Sequence, residues 1–245
     1  NILKFKDPLT LRWIDNLPWY EKPPLYMWLT SVMVFFYGVT SFAARFWSAI
    51  FGVGGVLVTY FFGKALFRSR LGGFLAAVML ATTTSYLYYS RNGMLDVTFT
   101  FFSTLALYFY WIDYHLKGDS QQKGGLVMLL SGVSLGLAAM TKGFVVIVPL
   151  GVIAVFGIIS LLGGIGGVGV IGRKLRRLIL PLLVLACGFL VVAAPWHIVM
   201  LLKHGREFFD SYFIYHVFKR GVEALEGKSA PLLLYLTVIK VGFSI

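Results

Sequence analysis

"FWSAIFGVGGVLVTYFFGKALF", Phe46 to Phe67, carries a single charge, Lys64. A helix needs about 20 apolar residues to cross the hydrocarbon of a bilayer, and this run supplies them. Comparable runs follow at Leu71–Tyr89, Met94–Leu116, Gly125–Thr141, Phe144–Leu162 and Leu178–His197, with a clipped one at Pro231–Ile245. None alternates apolar with polar residues, as the strands of a membrane barrel would. The composition agrees: 58% of the chain is hydrophobic and only 13% charged, against about a quarter charged in soluble domains. The expected fold is all-α, a polytopic transmembrane helical bundle formed as one domain over residues 1–245.

A net charge of +12 would suggest nucleic acid in a soluble protein. Here the basic residues fall largely between apolar runs, where they set topology and meet lipid headgroups. No basic, aromatic-interleaved soluble module is present, so nucleic acid is excluded as a partner. The single cysteine, Cys187, sits inside an apolar run, so no internal disulfide can form.

Short basic connections stay in the cytoplasm. Arg68 and Arg70, Lys117 and Lys123, and then Arg173, Lys174, Arg176 and Arg177 lie in alternate connections. The others, Asn1–Arg45, Ser90–Gly93, Lys142–Gly143 and Ile198–Ala230, therefore face outward. Leu25–Thr40 is too short to span and rich in aromatics, which places it as a juxtamembrane or re-entrant helix. Glycines 167, 169 and 172 form a GxGxxG pattern, but no strand precedes them as a dinucleotide site requires. We read that stretch as a cytoplasmic loop.

The outward face then collects the charges that border apolar sequence: Glu21, Lys22, Arg91, Asp96, Lys142, His216 and Arg220. Charges at membrane level are costly and are functional candidates by default. In "WYEKPP" the prolines end one structure and start a helix. Lys22 is either a snorkelling interfacial charge or a point cation for a phosphate. Glu21 would orient Lys22, bind a metal or contact a polar substrate. In "SRNGMLD" Asp96 lies about one helical turn into the next span. It either closes the hairpin by pairing with Arg91 or faces a cavity, where it would bind a sugar hydroxyl, a metal or a cation. Lys142 in "MTKG" is a capping lysine or a second cation for the same phosphate. Glu207 to Arg220 interleaves aromatics with charges, as an amphipathic helix on the bilayer does. His216 within it is a packed residue or, with Glu21, half of a divalent-metal site, a set that needs further ligands or water.

These stretches ("WYEKPPLYMWL", "TSFAARFWSAIFG", "SRNGMLDVTFTFF", "GLAAMTKG" and "PWHIVMLLKHGREFFDSYFIYHVFKR") follow the order seen in the glycosyltransferase C superfamily. The chain most resembles its protein mannosyltransferase and aminoarabinose transferase branch, glycosyltransferase families 39 and 83, over essentially its whole length. The resemblance implies an inverting membrane glycosyltransferase. It would use a polyprenyl-phosphate-linked sugar donor and a lipid, glycan or protein hydroxyl as acceptor. The site would lie at the outer face of a multi-pass integral membrane protein, in a bacterial inner membrane facing the periplasm. Carried onto this sequence, it makes Asp96 and Glu21 the catalytic candidates. Lys22, Arg91, Lys142 and Arg220 become the cations for the donor phosphate. Glu21 and His216 remain a candidate divalent-metal pair, the metal being the one cofactor expected. A transporter or flippase for a lipid-linked anion would use the same cations, but no internal repeat of the kind such proteins carry is visible.

One feature departs from the family pattern. Its main catalytic acid lies in the first outer loop, well upstream of the Glu-Lys-Pro-Pro run and usually followed by another acid. Asp7 and Asp15 precede Glu21 too closely, and neither belongs to an Asp-Glu pair. We therefore expect the sequence to be truncated at both ends, to lack that carboxylate and the first span, and to be inactive as given.

Overall fold

A computed structural model describes residues 2–13, 15–116, 121–162 and 168–219, with side chains for 2–13, 15–115, 125–160 and 179–216. Among them every regular element is helical, and the one β contact is an isolated bridge between Arg12 and Pro18. In chain order the helices are α1 (Ile2–Phe5), α2 (Leu25–Tyr37), α3 (Ser41–Phe67), α4 (Arg70–Thr82), α5 (Thr84–Arg91), α6 (Leu95–Leu116), α7 (Gln121–Lys142), α8 (Ile147–Leu162) and α9 (Val168–Phe208). A 3₁₀ turn, Gly143–Val146, joins α7 to α8, and a π-helical segment, Phe209–Lys219, follows α9. The expected terminal span Pro231–Ile245 and the site candidate Arg220 lie outside the described residues.

Length and apolar composition mark Ser41–Phe67, Leu95–His115, Gly125–Ser160 and Ile179–His216 as able to cross a membrane, with the bent pair α4–α5 as a fifth. The protein is thus a multi-pass integral membrane protein. At 1.5 Å per residue, the last two stretches are far longer than one crossing of about 30 Å. Each turns back at a glycine with positive φ, Gly143 (+61°) or Gly205 (+53°). For the first, the reversal is fixed by contacts with α6. Lys142 meets Asp96 at one end of α6. Ser160, eighteen residues on, hydrogen-bonds Tyr114 at the other end (2.9 Å). Two antiparallel passes therefore lie where Gly125–Thr141 and Phe144–Leu162 were expected.

The single span expected at Leu71–Tyr89 is instead two helices bent by 63° at Thr83. Thr82 and Thr83 donate their hydroxyls to the carbonyls of Val78 (2.8 Å) and Met79 (2.6 Å). Such back-bonding offers the backbone a rival to the helical ladder and bends helices. The GxGxxG stretch is corrected in part. Its residues from Val168 onward already form the start of α9.

Helix ends follow local chemistry. Thr40 and Ser69 accept from the backbone N–H groups of Ala43 and Gly72, capping α3 and α4, as N-cap hydroxyls do. The centre of the bundle is α7 against α6 and α9. Ser131 donates to the carbonyl of Ala106 across α6–α7 (2.8 Å). Against α9, a Cβ at Gly132 would lie 2.0 Å from the Leu185 carbonyl oxygen, and one at Gly136 2.7 Å from Val192 Cβ. This Gly-x-x-x-Gly face lets two backbones touch, as small residues do between helices in a membrane. Leu135, Ala138, Ala139, Leu185 and Ala193 pack around it.

Contacts of Pro23 with Gly143, of Tyr26 and Gly93 with Ala44, and of Lys142 with Asp96, together with the alternating directions of α3 to α9, put 23–26, 40–44, 91–96, 142–146 and 200–219 at one end of the bundle. Arg68 and Arg70, between α3 and α4, lie at the other.

Candidate functional site

The polar end is assembled from five separate stretches. Pro23 and Pro24 are fully buried, and α2 begins directly after them. The two residues ahead stay partly exposed. Trp19 Nε1 donates to Glu21 Oε2 (3.2 Å), and Lys22 Nζ lies 3.5 Å from Glu21 Oε1. Pro23 sits beside Gly143, where a Cβ would meet Pro23 Cδ at 3.6 Å and the Tyr212 hydroxyl at 2.6 Å. The Glu-Lys-Pro-Pro run is thereby held against the residue that follows Lys142.

Asp96 occupies the first turn of α6, where the unpaired N–H groups of a helix start favour a carboxylate. Its partner is Lys142, the last residue of α7, whose Nζ contacts Asp96 Oδ1. Of the two hairpin readings, pairing of Asp96 with Arg91 is corrected. Arg91 ends α5, is exposed and forms no ion pair among the described residues. Beside Gly143 lies an apolar cavity of ≈340 Å³ between the 3₁₀ turn, α9 and the π-helical segment, lined by Phe144, Phe189, Ala193, His197, Tyr212 and others.

The outer segments are clasped over this end. Phe208 and Tyr212 fold back from Gly205 and are buried with Trp196, Met200, Met140 and Tyr20. The amphipathic segment therefore docks on α9 with one face while Phe209 and Tyr215 remain exposed. Residues 7–10 are tied to the tip of α9. Lys203 Nζ donates to Asp7 Oδ2 (2.9 Å), Thr10 Oγ1 and His204 Nε2 share a hydrogen bond (2.9 Å), and Trp196 Nε1 donates to the Leu9 carbonyl (2.9 Å). Burial alone would raise the Asp7 carboxyl. Hydrogen bonds from Lys203, the Thr10 backbone and Arg12 outweigh it and hold Asp7 well below the usual carboxylate range. Burial, then the nearby Glu207, pushes the Tyr20 phenol up to about 12.

Glu21, Lys22, Arg91, Asp96, Lys142 and His216 thus share one end, where Glu21 meets Lys22 and Asp96 meets Lys142. His216 lies one turn beyond Tyr212. Among the described residues no three His, Cys, Asp or Glu side chains gather as a metal site would require. Sequence reasoning missed Tyr212 and His197, hydrogen-bonded to each other (3.3 Å), and the Asp7–Lys203 tie. It also passed over Asp113, buried in α6, whose acid in an apolar run was signal enough. Asp113 precedes Tyr114, the partner of Ser160, at the opposite end.

The fold and its polar end define a helical membrane protein with acid–base pairs set against an apolar hollow. The sequence profile described as dolichyl-phosphate-mannose-protein mannosyltransferase (PMT) matches residues 13–209, and the chain belongs to that family. Among its relatives is the undecaprenyl phosphate-alpha-4-amino-4-deoxy-L-arabinose arabinosyl transferase of Edwardsiella ictaluri, 25% identical over 93% of this chain and 39% of the relative. An uncharacterized protein of Aquifex aeolicus is 29% identical over 91% of this chain and 46% of its own length. The crystal structure of ArnT from Cupriavidus metallidurans bound to undecaprenyl phosphate superposes with a TM-score of 0.78 at 23% identity. It matches 99% of this chain and 42% of that one. The chain spans less than half of the length of these proteins.

Proposed function

We propose that this chain forms part of a membrane glycosyltransferase that moves a sugar from a polyprenyl-phosphate donor to a lipid, glycan or protein hydroxyl. The reaction would take place at the periplasmic face of a bacterial inner membrane. One observation carries the reading: Lys22 and Lys142, each beside a carboxylate, flank the junction of Pro23 and Gly143, and an apolar cavity opens next to it. A prenyl-linked phosphate has that duality, a charged head on an apolar tail. The relatives named as undecaprenyl-phosphate sugar transferases and the solved structure that holds undecaprenyl phosphate support the same ligand class.

In this reading the leaving group is a prenyl phosphate. Cations placed where its charge develops lower the barrier, a task for Lys22 and Lys142, with Arg91 and Arg220 as further candidates. The acceptor oxygen must lose a proton as it attacks the anomeric carbon, which requires a carboxylate base. Asp96 serves as a polar contact to the substrate. Glu21 stays a candidate for catalysis and, with His216, for two ligands of a divalent ion that would further neutralise the phosphate. Two donors leave the rest of its coordination to water or phosphate oxygens.

The test is sugar transfer by the gene product that contains this sequence, with a polyprenyl-phosphate sugar as donor. Lys22→Ala and Asp96→Ala should each lower turnover at least about tenfold, a loss of about 1.4 kcal/mol of transition-state stabilisation. Unchanged transfer by both variants would reject the site.

A further inference from the structure

Neither lysine of this site stands as a bare cation. Lys22 lies beside Glu21, and Lys142 is in contact with Asp96 across a sequence separation of 46 residues. The second pair joins the tips of two antiparallel helices, and each member has a reason of its own to be there. Asp96 is stabilised by the start of α6, whose free N–H groups favour a negative charge. Lys142 is stabilised by the end of α7, whose free carbonyls favour a positive one. Neither side chain therefore needs the other to hold its helix together, so the pair can part without unravelling either end. Both are reachable, with 39% of the Asp96 side chain and 26% of the Lys142 side chain exposed.

On the donor reading given above, on which this step rests, an incoming phosphate finds Lys142 already neutralised. It must either take the ammonium from the carboxylate or settle beside a like charge, which is unfavourable. We infer that Asp96 is a built-in competitor of the lipid phosphate for Lys142. In the resting site the carboxylate occupies the ammonium. When a prenyl phosphate binds, Lys142 swings to the phosphate oxygens and Asp96 is released to meet polar groups of the substrate. After transfer the carboxylate reclaims Lys142 and helps to expel the prenyl phosphate product. Asp96 thus couples head-group binding to its own availability, and it weakens affinity for the spent lipid.

This has a sign opposite to that of a simple binding residue: removing the Asp96 charge should tighten binding. Undecaprenyl phosphate is titrated against the full-length protein in nanodiscs at low ionic strength, with undecaprenol as the uncharged control. The variants are Asp96→Asn, Lys142→Gln and the double variant, with Asp96→Ser as a second neutral replacement should the first fold poorly. The neutral Asp96 variants should bind undecaprenyl phosphate roughly twofold to fivefold more tightly, the range expected from freeing one partly exposed ion pair. Undecaprenol binding should not change, and the gain should vanish once Lys142 is replaced. Equal or weaker binding by the neutral variants, or a gain that persists without Lys142, would overturn the competitor role while leaving the donor reading intact. If the unaltered protein does not prefer undecaprenyl phosphate to undecaprenol, the donor reading fails and the competitor role falls with it.

Discussion

Replacing Gly143 by alanine attacks the point where three parts of the polar end meet. The backbone there has φ +61°, a region in which a Cβ collides with the neighbouring carbonyl and costs about 1–2 kcal/mol. The new methyl would also lie 2.6 Å from the Tyr212 hydroxyl. That ring cannot easily yield. It is 4% exposed, stacks on Phe208 with ring centroids 5.2 Å apart and holds His197 through its hydroxyl. Overpacking of this kind adds about 1–3 kcal/mol, so Gly143→Ala should cost about 2–5 kcal/mol in total. The two parts can be separated, because Tyr212→Phe removes the atom that clashes and none of the backbone strain. In a Tyr212→Phe background the same glycine substitution should cost only the strain. Thermal unfolding of the four proteins in detergent, followed by intrinsic fluorescence, measures the cycle. Additivity within about 0.5 kcal/mol, the behaviour of independent sites, would refute the packing of Tyr212 on this turn.

Other expectations follow from the same contacts. Gly132→Ala would drive a Cβ to 2.0 Å from the Leu185 carbonyl oxygen; since neither backbone can withdraw, the variant should lose monodispersity on gel filtration, whereas Gly151→Ala, with open space around it, should not. Asp7→Asn should weaken the tie to Lys203 and Arg12. Because the folded carboxyl lies below its unfolded value of about 3.9, the charge contributes stability above that pH and loses it as pH falls toward the folded value. The melting temperatures of Asp7→Asn and the unaltered protein should therefore differ at pH 7 and converge on acidification, and a difference that does not shrink would count against the tie. Thr82→Val with Thr83→Val removes both carbonyl-seeking hydroxyls and should reduce the 63° bend, read as a longer spin-label distance between α3 and the tip of α5, which the bend holds against Gly52.

The helical passes were legible because twenty apolar residues in a row have few other stable arrangements in a bilayer. The bend at Thr83 was hidden because threonine suits both an apolar span and a kink, and only the hydroxyl-to-carbonyl bonds distinguish them. At the polar end, the sharing of one face by Glu21, Lys22, Asp96, Lys142 and His216 could be read from alternating basic loops. Partner choice could not. Arg91 is five residues from Asp96 and Lys142 is 46 away, so sequence proximity pointed to Arg91. What decides the matter is the antiparallel register of α6 and α7, set by contacts such as Ser131 with Ala106. The role of Gly143 was equally invisible, since a glycine after a lysine reads as an ordinary helix stop until Tyr212 arrives from a segment almost seventy positions later.

The glycine seam between α7 and α9 also fixes how high the lysine at the tip of α7 stands. Gly132 and Gly136 lock the shaft of that helix to its neighbour, and Lys142 rides six residues above the lock with no loop between them to absorb an error. Each residue inserted in that interval would lift the ammonium about 1.5 Å and swing it about 100° around the axis, out of reach of Asp96. The shaft behaves as a ruler with a cation at its end, and evolution can vary the loops of this protein far more freely than the length of those six residues.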